Sequence, residues 1–288
     1  MRFSPECVPC LLNRVIYQIE LVAPEKVAEA LSASMSILSQ TDWSHRNSAE
    51  VATTVHRKVY EISGSNDPYK DLKRRSDEAA ETIFERIESY VNKSKDSLEV
   101  AALCSIAGNV LDFGIDVGFE RPEQLGLKFD SLVKEGLAVN DLPEARKLLM
   151  KAKKVVYLLD NCGESVFDRL LVKEVKSLGP KVIGVVKGEP ILTDVTMEDA
   201  LRVHLDRSFD ELISTEEFAV GVDLRRAGER LRKEIDEADL IIAKGMANLE
   251  SLSDEEVRPV LYLLRTKCAP VAKTIGSRRN ANVAKLFV

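Results

Sequence analysis

Residues 155–164 read Val-Val-Tyr-Leu-Leu-Asp-Asn-Cys-Gly-Glu: a short apolar run, then two oxygen ligands, a cysteine, a glycine and an acid. A continuous apolar run of this length predicts a strand buried on both faces, which occurs in parallel sheets covered by helices. The residues that follow complete the unit. Val166, Phe167, Leu170, Leu171 and Val175 recur at helical spacing, Gly179-Pro180 ends the helix, and Val182-Ile183-Gly184-Val185-Val186 is a second apolar run. The alternation continues with a helix over 196–205, a short strand near Leu212-Ile213, a basic helix over 224–238, and strands at 240–243 and 260–264. The fold class expected for 151–288 is α/β: three layers, doubly wound, with a mostly parallel sheet.

Upstream the period is that of helices. Cys7, Leu11, Val15, Ile19 and Val22 lie on one face, and a second helix opens at Pro24. A third follows Asn47 or Ser48 as cap, with Glu50 as capping-box partner, Val51, Val55 and Val59 along one side, and Gly64 as its stop. The longest helix is predicted from Asp67-Pro68 through Leu72, Ala79, Ile83 and Ile87 to residue 90, because proline in a first turn gives up no useful hydrogen bond. An apolar helix over 98–111, a loop over 113–126 and a helix over 142–153 lead to the boundary. Two domains are expected: a helical domain, 1–150, and an α/β domain, 151–288, that binds metal and phosphate.

Composition narrows the classes of function. At 288 residues with 45% hydrophobic content, the chain can fill real cores. Its 41 basic against 47 acidic residues provide no excess positive field for a polyanion, so nucleic acid is not expected as a partner. No stretch approaches the roughly 18 uncharged apolar residues that a bilayer span needs, and Arg2, Pro5 and Glu6 are followed by no signal-like apolar region. No membrane partner is expected, and the expected location is the cytoplasm. Five scattered cysteines suit reduced thiols better than a disulfide framework.

In an open parallel sheet, ligands bind beyond the carboxyl ends of the strands. The first strand ends in Asp160-Asn161-Cys162-Gly163-Glu164, and the second in Lys187-Gly188-Glu189, leading to Thr193-Asp194. The run at 240–243 leads to Lys244-Gly245, Asn248 and Glu250, and the last strand to Arg265-Thr266-Lys267. Taken singly, Asp160 and Asp194 read equally well as helix caps, and Lys244 and Lys267 as solvated strand ends. Such separate readings do not explain why the strand ends of one sheet finish together in charged or amide side chains beside glycines.

Asp160, Asn161 and Asp194 are hard ligands of the kind that magnesium or manganese takes together with water. The three histidines, His45, His56 and His204, lack the paired spacing of a zinc enzyme. Cations beside a hard metal suggest a small phosphorylated metabolite as substrate. Lys244 and Lys273 would offset its charge, and the backbone N–H groups of Gly163 and Glu164 at a helix start would bind its oxygens. No Walker loop, dinucleotide fingerprint or kinase lysine motif is present. Covalent aspartyl-phosphate chemistry needs a second Asp two residues after the nucleophile, where this chain has Cys162. The expected reaction is therefore attack by a metal-activated water, with Glu164 or Asp194 taking its proton.

Asp160-Asn161-x-Gly163-Glu164, Gly188-x-x-Ile191-Leu192-Thr193-Asp194 and Lys244-Gly245-x-x-Asn248-x-Glu250 together resemble the domain-of-unknown-function 89 family of damage-control phosphatases. Cys7-x-x-Cys10, Asp67-Pro68-Tyr69-Lys70 and Gly108-Asn109-x-x-Asp112 look like its prokaryotic, CxxC-bearing subfamily. The resemblance implies a metal-dependent phosphomonoesterase acting on sugar phosphates, nucleotides or damaged phosphometabolites. Its ligands would be Asp160, Asn161 and Asp194, and its cofactor Mn, Co, Ni or Mg. It also implies that the helical half covers the site, with Asn109, Asp112 and Asn248 on the substrate side. Other branches carry Arg-Thr-x-Lys after a late strand, a spacing that Arg265-Thr266-Lys267-Cys268 breaks.

Two other readings compete with this one. An S-adenosylmethionine-dependent methyltransferase would need a glycine-rich turn after the first strand, where this chain has two acids and one glycine. A thiol-based sensor would rest on Cys7 and Cys10, one helical turn apart, which read equally as a redox pair, half of a metal site, or two small apolar residues. The oligomeric state is left open.

Overall fold

The protein is described by a computed structural model covering residues 1–43, 45–109 and 124–288. Among the described residues seven strands form one sheet. They are β1 (Leu137–Asn140), β2 (Lys154–Leu158), β3 (Lys181–Val186), β4 (Glu211–Ser214), β5 (Leu240–Lys244), β6 (Val260–Arg265) and β7 (Asn282–Phe287). Their order is β1-β7-β6-β5-β2-β3-β4. The block from β6 to β4 is parallel, while β7 runs antiparallel to β6 and parallel to β1. Residues 155–158 pair with β3 on one side and β5 on the other, so β2 is a central strand, as its uniform apolar run predicts.

Helices pack on both faces of this sheet, and among the described residues six α-helices precede β1 in the chain. Of these, α1 (Cys7–Glu20), α2 (Val27–Gln40) and α3 (Ser48–Ser63) bury Val15, Ile19, Ala30, Val55 and Val59 against one another. Asn47 caps α3 by accepting the Ala49 N–H at 2.9 Å, and Gly64 closes it at φ 74°. Glu50 does not complete a capping box; its carboxylate turns to Arg46 and Arg225. Next come α4 (Lys70–Asn92), with Asp67 accepting the Tyr69 N–H just ahead of it, and α5 (Ser97–Gly108), capped by Asp96.

All of α5 from Ala101 to Gly108 is buried, which its small side chains allow. A Cβ on Gly108 would lie 2.9 Å from Phe167 Cδ2 and 3.0 Å from Glu164 Cα. That glycine lets α5 press onto α8 (Glu164–Ser177) and delivers the next residue, Asn109, to the end of β2. One hydrophobic core joins Tyr60, Tyr69, Ile87 and Ile106 to Tyr157, Phe167, Val186 and Leu263, so helices before residue 150 and strands after it share an interior.

Several elements differ from the sequence expectation. β1 and β7 are additional. β1 is an edge strand of four residues with only every second position partly buried, and β7, Asn-Val-Ala-Lys-Leu-Phe, is interrupted by Asn282 and Lys285 rather than forming a uniform apolar run. Two further helices, α11 (Gly245–Leu252) and α12 (Ala269–Ile275), follow β5 and β6. The helix expected over 142–153 is α7 (Leu142–Leu149), the one over 196–205 is α9 (Met197–Arg202), and the basic helix is α10 (Glu229–Asp236). The loop expected over 113–126 lies outside the described residues except at 124–126, and Leu125 already begins α6 (Leu125–Lys134).

Candidate active site

The loops beyond β2 and β3 meet. Asn161 and Asp194 form an isolated antiparallel bridge, Cys162 N–H donates to Thr193 O at 2.8 Å, and Val195 N–H to Asp160 O at 2.8 Å. Thr193 Oγ1 donates to Asn161 Oδ1 at 2.5 Å, and Asn161 Nδ2 donates to Asp160 Oδ2 at 2.7 Å. The three side chains named as metal ligands are thus held side by side, each only 4–5% exposed.

Asp160 needs the glycine that follows β5. A Cβ on Gly245 would lie 1.8 Å from Asp160 Oδ2, and Gly245 sits at φ 72°, where side chains are disfavoured. Asn109, arriving from α5, donates from Nδ2 to Asp160 Oδ2 at 2.8 Å and to Glu164 Oε2 at 2.6 Å. Its Oδ1 is buried and has no hydrogen-bond partner among the described residues. The helical half therefore reaches the site through Asn109. Asp112, expected beside it, lies outside the described residues.

Asp160, Asn161, Asp194 and Asn109 line a cavity of about 440 Å³. Its walls include Arg14 and His56 from α1 and α3, Met246 and Glu250 from α11, and Lys267, Cys268 and Arg279 from the loops around α12. Among the described residues, no three His, Cys, Asp or Glu side chains converge as a cation-binding group. The candidate donor set is thus two carboxylates and an amide oxygen completed by water, which fits magnesium or manganese rather than zinc. His56 is engaged by Gln18: its Nδ1 donates to Gln18 Oε1 at 2.8 Å, and burial pushes the ring down to about 3, so it is neutral.

Other expected residues stand behind the cavity. Lys244 is wholly buried; its ammonium bonds to Glu164 Oε1 and to Asp168 Oδ1, the latter at 2.9 Å. Burial opposes its charge, but Asp168 and Glu164 outweigh that and hold its pKa above the usual lysine value. Glu164 is equally buried, and burial raises its carboxyl against the pull of Lys244. Asp168 also accepts from Ser105 Oγ at 2.6 Å and Tyr157 OH at 2.8 Å. Lys244 and Glu164 thus form an internal ion cluster, not a cavity wall.

The Gly163 N–H, expected to face phosphate, donates to Asp77 Oδ1 at 2.6 Å. Asn248 donates to Leu159 O and Lys244 O, tying α11 to the end of β2. Lys273 is exposed on α12 and absent from the cavity lining.

In their place stand cations that sequence reasoning did not select. Lys267 is 5% exposed and lines the cavity two residues beyond β6. Lys187, at the end of β3, pairs with Asp194 Oδ2 at 3.3 Å and donates to Gly221 O. The strand-end rule points to both; Arg14 and Arg279 carry no such signal. Cys7, Cys10 and Cys268 also share the cavity wall. Burial, with Glu250, Cys10 and Glu6 adding, pushes the Cys7 thiol up to about 11, and burial pushes Cys268 up to about 12. Cys7 and Cys268 stand there as neutral thiols.

The model of the Damage-control phosphatase ARMT1-like domain matches residues 3–283. This chain belongs to that family. A protein named damage-control phosphatase from Archaeoglobus fulgidus is 40% identical over 288 residues, 99% of each chain. Another of that name from Pyrococcus horikoshii is 29% identical over 286 residues, 98% of this chain and 97% of the other. A crystal structure of a domain-of-unknown-function 89 family protein from the same organism superposes with a TM-score of 0.88 at 28% identity, covering 99% of both chains. For this damage-control phosphatase family member, fold and matched family agree with the resemblance carried by the strand-end motifs. No helix among the described residues is long and apolar enough to cross a membrane.

Proposed function

We propose that the protein is a divalent-cation-dependent phosphatase that hydrolyses small phosphomonoesters in the 440 Å³ cavity. Membership in the damage-control phosphatase family supports phosphatase activity, and with it sugar phosphates, nucleotides or damaged phosphometabolites as substrates. The observation that carries the assignment of the site is the junction of the β2 and β3 loops, which sets Asp160, Asn161 and Asp194 on one wall.

Those three residues would hold Mg, Mn, Co or Ni. A cation of this kind supplies Lewis-acid charge for phosphoryl oxygens and lowers the pKa of water. The chain's own residues do the rest. Asn109 and Gly245 fix the Asp160 carboxylate, Lys187 fixes Asp194, and the Lys244–Glu164–Asp168 cluster holds Asn109 from behind. Lys267 offers the buried positive charge closest in kind to what a phosphate needs, with Arg14 and Arg279 on the same walls. In the reaction the water oxygen bonds to phosphorus and the ester P–O bond breaks. The leaving alcohol gains a proton, and a cavity carboxylate takes the proton that the water releases. The five free cysteines suit a reducing cytoplasm.

The test is phosphate release by chelated, repurified protein from p-nitrophenyl phosphate, sugar phosphates and nucleotides, with Mg, Mn, Co or Ni restored. Turnover should depend on added metal. Asp160→Ala and Asp194→Ala should each lower kcat/KM by at least ~100-fold while the far-UV spectrum stays that of the parent. Full activity in either variant would remove that residue from the ligand set.

A further inference from the structure

A chain of buried charges runs behind the two loops, outside the cavity. On α4, Lys73 is 1% exposed and Asp77 is 3% exposed. Lys73 Nζ lies 2.7 Å from Asp67 Oδ2 and 2.7 Å from Asp199 Oδ2. Asp199, in α9, accepts from Thr196 N–H at 3.0 Å and Thr196 Oγ1 at 2.6 Å, and Arg202 Nη2 binds its other oxygen at 2.7 Å. Arg202 continues to Asp77 Oδ2 through Nε at 3.1 Å and Nη2 at 2.7 Å. Asp77 Oδ1 then accepts the Gly163 N–H at 2.6 Å.

Two members of this chain, Asp77 and Asp199, hold different loops. Gly163 lies two residues beyond Asn161, and Thr196 two residues beyond Asp194. Asp199 closes the capping box of α9 on Thr196, so the network anchors α9 and with it the end of the β3 loop, and it holds the β2 loop directly through the Gly163 N–H. Gly163 sits at φ 79°, a conformation that a hydrogen bond to its N–H helps to select. Each base is shared by two acids, Lys73 by Asp67 and Asp199 and Arg202 by Asp77 and Asp199, so removal of a base leaves buried carboxylates without their counter-charge.

We propose that Asp67, Lys73, Asp77, Asp199 and Arg202 are positioning residues that clamp the β2 and β3 loops in register, so that α4 sets the spacing between Asp160, Asn161 and Asp194. The inference rests on these loops being the ones that hold the cation. It assigns to the N-terminal half a function in building the site, beyond Asn109.

The experiment compares wild type, Asp77→Asn, Arg202→Gln and Glu81→Gln. Glu81→Gln breaks the Arg169–Glu81 pair between α4 and α8 and touches neither loop, so it is the control for lost helix packing. Arg202, partly exposed, gives a variant that folds if Asp77→Asn does not.

Two quantities are measured at a temperature where each protein is folded: amide hydrogen exchange over 160–163 and 193–196 in metal-free protein, and Mn²⁺ affinity by titration. Loss of the clamp should speed exchange of the Gly163 amide at least ~10-fold and raise the Mn²⁺ Kd by ~10-fold or more, with Glu81→Gln like wild type on both. Unchanged loop exchange in both clamp variants, or equal loosening in Glu81→Gln, overturns the clamp. A wild type that binds no Mn²⁺ overturns the cation reading instead, and the exchange data still judge the clamp.

Discussion

Gly245 and Asp160 illustrate how tightly single residues are bound to the site. Gly245→Ala would place its Cβ 1.8 Å from a carboxylate oxygen and force an L side chain into φ 72°. It should cost about 1–3 kcal/mol in stability and abolish metal-dependent turnover. Urea unfolding and the phosphate-release assay read the two effects. Lys244→Met should cost more, about 3–5 kcal/mol, because Glu164 and Asp168 would remain buried without their cation.

His56 governs a different property. Its folded-state pKa of about 3 lies below the ordinary 6.5, so the unfolded chain takes up a proton first. The stability it contributes is complete above about pH 6.5 and is lost progressively as pH falls towards 3, on the order of 4–5 kcal/mol in all. His56→Gln should therefore lose less stability than wild type between pH 7 and pH 4 in urea midpoints; equal losses would remove His56 from the acid response. At this scale the sequence made Asp160, Asn161 and Asp194 visible, because strand ends announce themselves. It did not distinguish Lys244 from Lys267, since both follow apolar runs and only packing shows that one is spent on Glu164 and Asp168.

At the scale of elements, caps and periods were readable. Asn47 and Gly64 perform as their chemistry dictates, whereas Asp67-Pro68 forms a turn and the helix itself begins at Lys70. Gly64→Ala should destabilise by ~1 kcal/mol through backbone conformation alone, as nothing lies within 4 Å of the added Cβ. Phosphatase activity should be unchanged; a large loss of activity would mean that α3 is coupled to the cavity more closely than Ser48, Ala52 and His56 imply. The elements that went unread share a cause. β1 is four residues long, α11 opens with a glycine and spans eight, and the apolar run of β7 is broken by Lys285. Each is too short, or too dependent on its neighbour, for a local pattern to define it.

For the whole molecule the decisive feature is the core shared between the N-terminal helices and the sheet. It predicts one cooperative transition: Trp43 fluorescence, reporting the α1–α3 layer where Trp43 packs on Phe3, should change at the same midpoint as far-UV ellipticity. Separate midpoints would mark the α1–α3 layer as an independent unit. By itself the sequence determined the α/β class, the central strands and the acids at their ends, because each of those is written in a run of neighbouring residues. Tertiary structure alone decided that α5 brings Asn109 to Asp160, that α4 reaches Gly163 through Asp77, and that Lys267 rather than Lys273 lines the cavity. Those pairings join residues dozens of positions apart or choose between side chains with the same local signal. Only the close approach of packed elements, permitted at Gly108 and Gly245 by a missing Cβ, sets the distances that make them.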